Sequence, residues 1–273
     1  MATFRTRTFE NVSNIQGRWY EVAPAEMTIR AESSATGTLA GHFGTNASFF
    51  NPGTNALTAM HVANGQAVAT GGLTNTALGT AASSMSALFC DLWFMDPMRV
   101  VRFQNRAQNF TDLPRPNPQF GTTLWAIGGI TLLANENINL PSNFRQRLLE
   151  IYGSGAASWI PGLDQRRART FIGYRSATDR IMFGVLSRSI SDSSIGDTTG
   201  NTGTGVTFHE MHLILRQELG CNMALSIDGG GSSRIRFRNA QGQDVLSQVG
   251  ARRINAQLAL APNVASTVNW NGR

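Results

Sequence analysis

The sequence predicts an α+β fold, one domain with a mixed, twisted β-sheet core and helices packed on it. Three observations lead there. Short β-branched or alternating runs dominate, only two segments carry helix start and stop signals, and no linker or fixed-period repeat divides the 273 residues. The chain thus reads as a single unit over 1–273, long enough to bury a sizeable core.

The N-terminal third reads as strands and turns. Residues 56–63 and 66–70 flank Asn64-Gly65, a hairpin signal because both turn positions need positive φ. Residues 83–94 form an apolar run compatible with helix or strand, whereas 99–103 alternates and reads as a strand. Pro114, Pro116 and Pro118 make 112–119 an extended loop. A strand then passes through Gly128-Gly129. Pro141-Ser142 opens a helix that buries Phe144, Leu148, Leu149 and Tyr152 and closes at Gly153. Residues 181–186 read as a buried strand. The polar residues 189–205 read as a mobile lid, since a loop of about 17 residues inside a domain is usually functional. Thr207 and Glu210 form a capping box for a helix that ends at Gly220. Strands follow at 223–227, 234–238, 244–249 and 254–260, the middle two joined in a hairpin at Gln241-Gly242.

The 23 basic residues exceed the 17 acidic ones by six, and every basic residue is arginine. Codon composition does not account for the missing lysines, because asparagine, whose codons share the same start, occurs 21 times. Selection against primary amines is the reading this leaves. The arginines are dispersed, with dense groups only at 166–169, 234–238 and 252–253, and no lysine runs or interleaved aromatics mark a nucleic-acid groove. The alternate Arg234, Arg236 and Arg238 read as a solvated strand face. No apolar stretch reaches membrane-spanning length, and the first thirty residues lack an apolar signal core. The expectation is a soluble cytoplasmic protein, or a secreted mature form. Cys90 and Cys221 read as free core thiols, and His42, His61, His209 and His212 fit no metal motif, so neither metal nor cofactor is expected.

The sharpest feature is Asp228-Gly229-Gly230-Gly231-Ser232-Ser233 at the end of an apolar strand. Three glycines let backbone amides converge on an anion, Ser232 and Ser233 add hydroxyls, and Asp228 emerges at a fixed position. A tight turn is the plain alternative, but a turn needs only one or two glycines. Residues 219–233 closely resemble the signature of the phosphodiester glycosidase family. Further elements match in order: 45–52 (Thr-Asn-Ala-Ser-Phe-Phe-Asn-Pro), 126–129 with its glycine pair, 169–173 (Arg-Thr-Phe-Ile-Gly) and 253–258. The resemblance covers roughly 35–260. One departure stands out: where the family commonly carries Asp-Gly-Arg, this chain has Leu186-Ser187-Arg188.

The resemblance implies a hydrolase of the glycosidic bond in a sugar-1-phosphate diester, N-acetylglucosamine-1-phosphodiester-like or nucleotide-sugar-like. Phosphate is already a stable leaving group, so holding it and stabilising an oxocarbenium-like transition state outweigh general-acid help. Asp228 is expected as base, nucleophile or electrostatic stabiliser. Asn46 is expected to orient the sugar, with Phe49 and Phe50 as its wall; a turn role for Asn46 and core packing for the phenylalanines are the alternatives. The planar forks of Arg169 and Arg188 suit the phosphate, with the Gly229–Gly231 amides, Ser232 and Ser233 completing the cradle. Glu210 reads as a cap. A different class of reading is a non-catalytic sugar- or phosphate-binding module of a larger assembly.

Overall fold

Sixteen strands and three α-helices make up the regular structure of the described residues, with short 3₁₀ turns and one π-helical segment between them. The structure is a computed structural model that describes residues 1–32, 39–47, 49, 59–68, 85–107, 113, 114, 116–160, 162–197, 203–250, 252 and 254–272. The strands are β1 (Thr3–Phe9), β2 (Ile15–Val22), β3 (Met27–Ala31), β4 (Gly44–Asn46), β5 (His61–Ala63), β6 (Gln66–Ala67), β7 (Met85–Trp93) and β8 (Arg99–Ala107). They continue as β9 (Gly121–Thr131), β10 (Arg169–Arg175), β11 (Arg180–Ser187), β12 (Met223–Ile227), β13 (Arg234–Arg238), β14 (Asp244–Gln248), β15 (Ala256–Leu260) and β16 (Asn269–Gly272). The helices are α1 (Pro141–Tyr152), α2 (Ala156–Trp159) and α3 (Phe208–Leu213).

The sequence does not foretell that these strands divide into two sheets. The larger runs β16-β1-β2-β11-β10-β12-β9-β5-β6, with β7 joined to β9 and β8 to β7; the smaller runs β14-β13-β4-β15-β3. Pairing is antiparallel except between β1 and β16, so the larger sheet is mixed. Tyr20, Ile127, Ile172, Phe183 and Leu225 on one face of the larger sheet meet Ile29, Ile235 and Leu258 of the smaller. Its other face, with Ile130, Phe171, Met182 and Leu186, is covered by Phe144, Leu148 and Tyr152 of α1 and Phe208 and Met211 of α3. Each such side chain, fully buried, contributes about 1.5–3 kcal/mol, and β11, buried on both faces, reads as a near-continuous apolar run over 181–186.

The helix signals act as the sequence indicates. Pro141 starts α1, and Gly153 closes it at φ 91°. Thr207 Oγ1 accepts from the Glu210 amide while the Glu210 carboxylate accepts from the Thr207 amide, completing the capping box of α3. A π-helical turn, Ile214–Glu218, prolongs α3. Asn64 and Gly65 take φ 50° and 71° between β5 and β6. Residues 85–93 resolve as a strand, and Cys90 and Cys221 are free and buried.

Two expectations need correction. Arg234 is not on a solvated face: it is wholly buried, and only Arg236 and Arg238 keep partial exposure. Strand periodicity assigns residues to faces but says nothing of what covers a face. Residues 189–197, read as part of an unpacked loop, carry Ile195 into the core between the sheets; its amide donates to Gln248 O at 2.9 Å. Residues 198–202, the remaining middle of that loop, lie outside the described residues.

Candidate active site

Ile227 pairs with Thr170 at the end of β12, so Asp228 leaves the sheet beside the start of β10. The Gly230 amide donates to Ala168 O at 2.7 Å, folding the turn back against β10. Only glycine fits there. A Cβ on Gly229 would stand 2.8 Å from Ala168 O, and Gly230 takes φ 59°. Asp228 through Gly231 keep partial exposure, whereas Ser232 and Ser233 are wholly buried.

Asn46, at the end of β4, does converge on this turn. Its Nδ2 donates to Asp228 O at 2.6 Å and Ala47 O at 3.2 Å; its Oδ1 accepts from Thr170 Oγ1 at 2.9 Å and the Arg234 amide at 3.1 Å. These are all four hydrogen bonds a carboxamide makes. Asn46 therefore holds the turn and has no capacity left for a sugar.

Burial pushes the Asp228 carboxyl up to about 6, against the opposing pull of Ser232, Arg252, the Gly229 amide and Arg234. Two arginines that the sequence reading passed over are thus its cationic neighbours. Arg234 Nε donates to Ser232 O at 3.1 Å and its Nη2 donates to Arg252 O. Arg252 is exposed, and its Cδ lies 3.5 Å from where a Cβ on Gly231 would be. The signal for Arg234 was available in part: it follows directly on Ser232-Ser233 at the start of a strand.

Arg169 and Arg188 are placed otherwise than the sequence suggests. Arg169 is buried; its Nη2 donates to Gly162 O and Gln165 O at 2.6 and 3.0 Å, and its guanidinium lies 4.1 Å over the Phe208 ring. Its backbone adjoins Gly229, but its fork is occupied by carbonyl oxygens. Arg188 Nη2 points to Glu210 Oε1 at 3.5 Å, and Arg166 Nη1 donates to Glu210 Oε2 at 2.7 Å. Burial raises the Glu210 pKa, but the Arg166 hydrogen bond and the Thr207 amide outweigh it and hold the carboxylate below its ordinary range. The amide nest is also narrower than expected. The Gly230, Ser232 and Ser233 amides are bonded to the Ala168, Gly229 and Gly230 carbonyls and the Gly229 amide to Asp228, so among the described residues the Gly231 amide is the glycine donor left over. Phe49 is buried in the helix-side core, and Phe50 lies outside the described residues.

Asp197 was missed altogether. Its Oδ1 accepts from the Ala168 amide at 2.7 Å, and its Oδ2 lies 3.5 Å from where a Cβ on Gly230 would be. A carboxylate from the polar loop thereby reaches the turn, although Leu186-Ser187-Arg188 supplies none. Nothing in its Ser/Thr/Asp neighbourhood distinguishes it in sequence.

The turn thus brings a carboxylate together with buried hydroxyls and guanidinium groups. The sequence model of the phosphodiester glycosidase family matches residues 41–260, and the chain belongs to that family. Among solved structures it is similar to the catalytic domain of zebrafish N-acetylglucosamine-1-phosphodiester alpha-N-acetylglucosaminidase, auto-inhibited by its pro-peptide. The identity is 14% and the TM-score 0.59, over 95% of this chain and 82% of that one. A hypothetical protein from Synechocystis is similar at 14% identity and TM-score 0.48, over 94% of this chain and 61% of that one. An exported protein from Burkholderia pseudomallei follows at 12% identity and TM-score 0.44, over 91% and 74%. A comparison with curated proteins gave no match.

Proposed function

We propose that the protein hydrolyses the glycosidic bond of a sugar-1-phosphate diester, with Asp228 as the base. The observation that carries this reading is the Asp228 carboxyl, raised to about 6 at the end of β12 beside Arg252 and Ser232. A base poised near neutrality is deprotonated at working pH yet strong enough to take a proton. In the step proposed, water adds to the anomeric carbon as its bond to the phosphate oxygen breaks. The electron pair leaves with the phosphate, and the proton of the water passes to Asp228. Arg252, with the Gly231 amide, meets the departing phosphate in place of Arg169 and Arg188, because guanidinium and amide donors favour developing oxygen charge. Asn46 and Asp197 position the turn.

The test is incubation with a panel of sugar-1-phosphate diesters, N-acetylglucosamine and nucleotide-sugar types included, followed by phosphorus NMR. Release of a phosphate monoester by the wild type, lost in Asp228→Asn, supports the reading. Absence of turnover on every diester overturns it.

A further inference from the structure

The smaller sheet has one apolar face, turned to the core, and one polar face on which Arg234, Asn46 and Gln257 are buried while Arg30, Arg236 and Arg238 keep partial exposure. Ile235, Leu258 and Ile29 belong to the first. Across the second runs a row in register: Asn46 of β4 lies between Arg234, whose amide bonds its Oδ1, and Gln257 of β15, which in turn faces Arg30 of β3. Directly paired residues of an antiparallel sheet project from the same face with Cβ atoms roughly 4.5–5.5 Å apart. Gln257 therefore stands beside the side chain that grips Asp228 O at 2.6 Å.

Gln257 is wholly buried, and neither its Nε2 nor its Oε1 has a hydrogen-bond partner. Each such orphan costs about 1–3 kcal/mol. The adjacent carboxamide of Asn46 is saturated and cannot answer it, and Gln248, paired with Arg234 on the same row, has an unpartnered Oε1 as well. An apolar residue at 257 would remove the cost, which makes an amide there informative.

We infer that Gln257 is a specificity-determining residue that hydrogen-bonds the sugar of the substrate, through a hydroxyl or N-acyl amide projecting from the ring. The inference rests on the hydrolase reading of the Asp228 turn and deepens it. The reasoning is one of complementarity. A phosphate oxygen only accepts, so it would satisfy Nε2 and leave Oε1 bare. A hydroxyl or secondary amide both donates and accepts, and satisfies both atoms. Arg252, beside Gly231, lies toward the phosphate, and the neutral Gln257 lies toward the sugar, with Arg30 of β3 beyond it.

Calorimetric titration of the full chain with N-acetylglucosamine, glucose and inorganic phosphate, for the wild type, Gln257→Met and Gln257→Glu, tests this. Gln257→Met is expected to weaken binding of at least one of the two sugars tenfold or more while changing phosphate binding less than twofold, with thermal stability equal or higher. Gln257→Glu, which keeps an acceptor and loses the donor, should fall between. Unchanged sugar binding in a folded Gln257→Met assigns the two atoms to ordered water and overturns the inference, as does a wild type that binds neither sugar. A wild type that binds sugar through Gln257 but cleaves no diester leaves the inference standing and removes the hydrolase reading alone.

Discussion

Two carboxylates meet arginines on either side of the start of β10, and they end in opposite electrostatic states. Glu210 is gripped by Arg166 at 2.7 Å and by its capping amide, and it lies below its ordinary pKa. Asp228 has Arg234 and Arg252 as neighbours, yet burial prevails and lifts it to about 6. The number of nearby arginines is the same. What differs is where the buried guanidinium points: Arg166 donates to the carboxylate in one cluster, whereas Arg234 donates to the Ser232 and Arg252 carbonyls in the other. A charge fully answered by the protein stabilises structure; one left partly unanswered is available for chemistry.

The comparison is broken most sharply at Asp228. Asp228→Asn should lower turnover about a hundredfold or more, because shape and ligand contacts remain while the charge goes. It should also raise unfolding free energy at pH 7.5, by about 2 kcal/mol. The sign follows from the raised pKa: the folded state favours the protonated form, so this stability is full below the ordinary value of 3.8 and lost as pH rises through about 6. Urea midpoints of both proteins should therefore converge near pH 4 and diverge above pH 6. An equal gap at both pH values would contradict the assignment.

Next comes Arg234. Replacing this buried guanidinium by methionine strips Ser232 O and Arg252 O of their donor and should cost about 3 kcal/mol in denaturant unfolding. A solvated arginine would cost under half a kcal/mol, so the measurement separates the observed placement from the strand-face reading. Arg252→Ala should act on chemistry more than on stability. Its positive charge lowers the Asp228 pKa, so its removal should move the acid limb of kcat/KM above pH 6 and raise KM for a phosphate diester about tenfold. An unshifted limb would place Arg252 outside the reaction.

The smallest effect is expected at Glu210. Glu210→Gln keeps the cap but loses the charge of the Arg166 pair, costing about 1 kcal/mol, with turnover within twofold. Because the folded carboxylate lies below its ordinary range, that contribution is present above pH 4.5 and disappears as pH falls through the folded value. A large loss of turnover would show that the two clusters are not functionally distinct.

Local chemistry was legible in the sequence where one residue suffices to set it. Thr207 with Glu210, Pro141 with Gly153, Asn64-Gly65 and the Asp228 turn each have a backbone requirement that only a few residue types meet. Convergence of Asn46 on the turn was legible through family resemblance. Its saturation was not, since it depends on Thr170 and Arg234 arriving from elsewhere in the chain. The same reason hid the burial of Arg234, the split into two sheets and the reach of Asp197. Arg169 shows the converse: a residue with the right chemistry and the right neighbour whose side chain is claimed by Gly162 and Gln165 carbonyls.

The hydrogen bonds of Asn46 also set an order of events in folding. Its partners Thr170, Asp228 and Arg234 lie 124, 182 and 188 residues away along the chain. Closing such loops is entropically expensive and slow, so contacts of this kind form after local hairpins and helix caps. The Asp228 turn is then the last part of the molecule to mature. In refolding from denaturant, recovery of ligand binding should lag recovery of far-ultraviolet circular dichroism. Asn46→Ala should lengthen that lag while leaving the early phase unchanged.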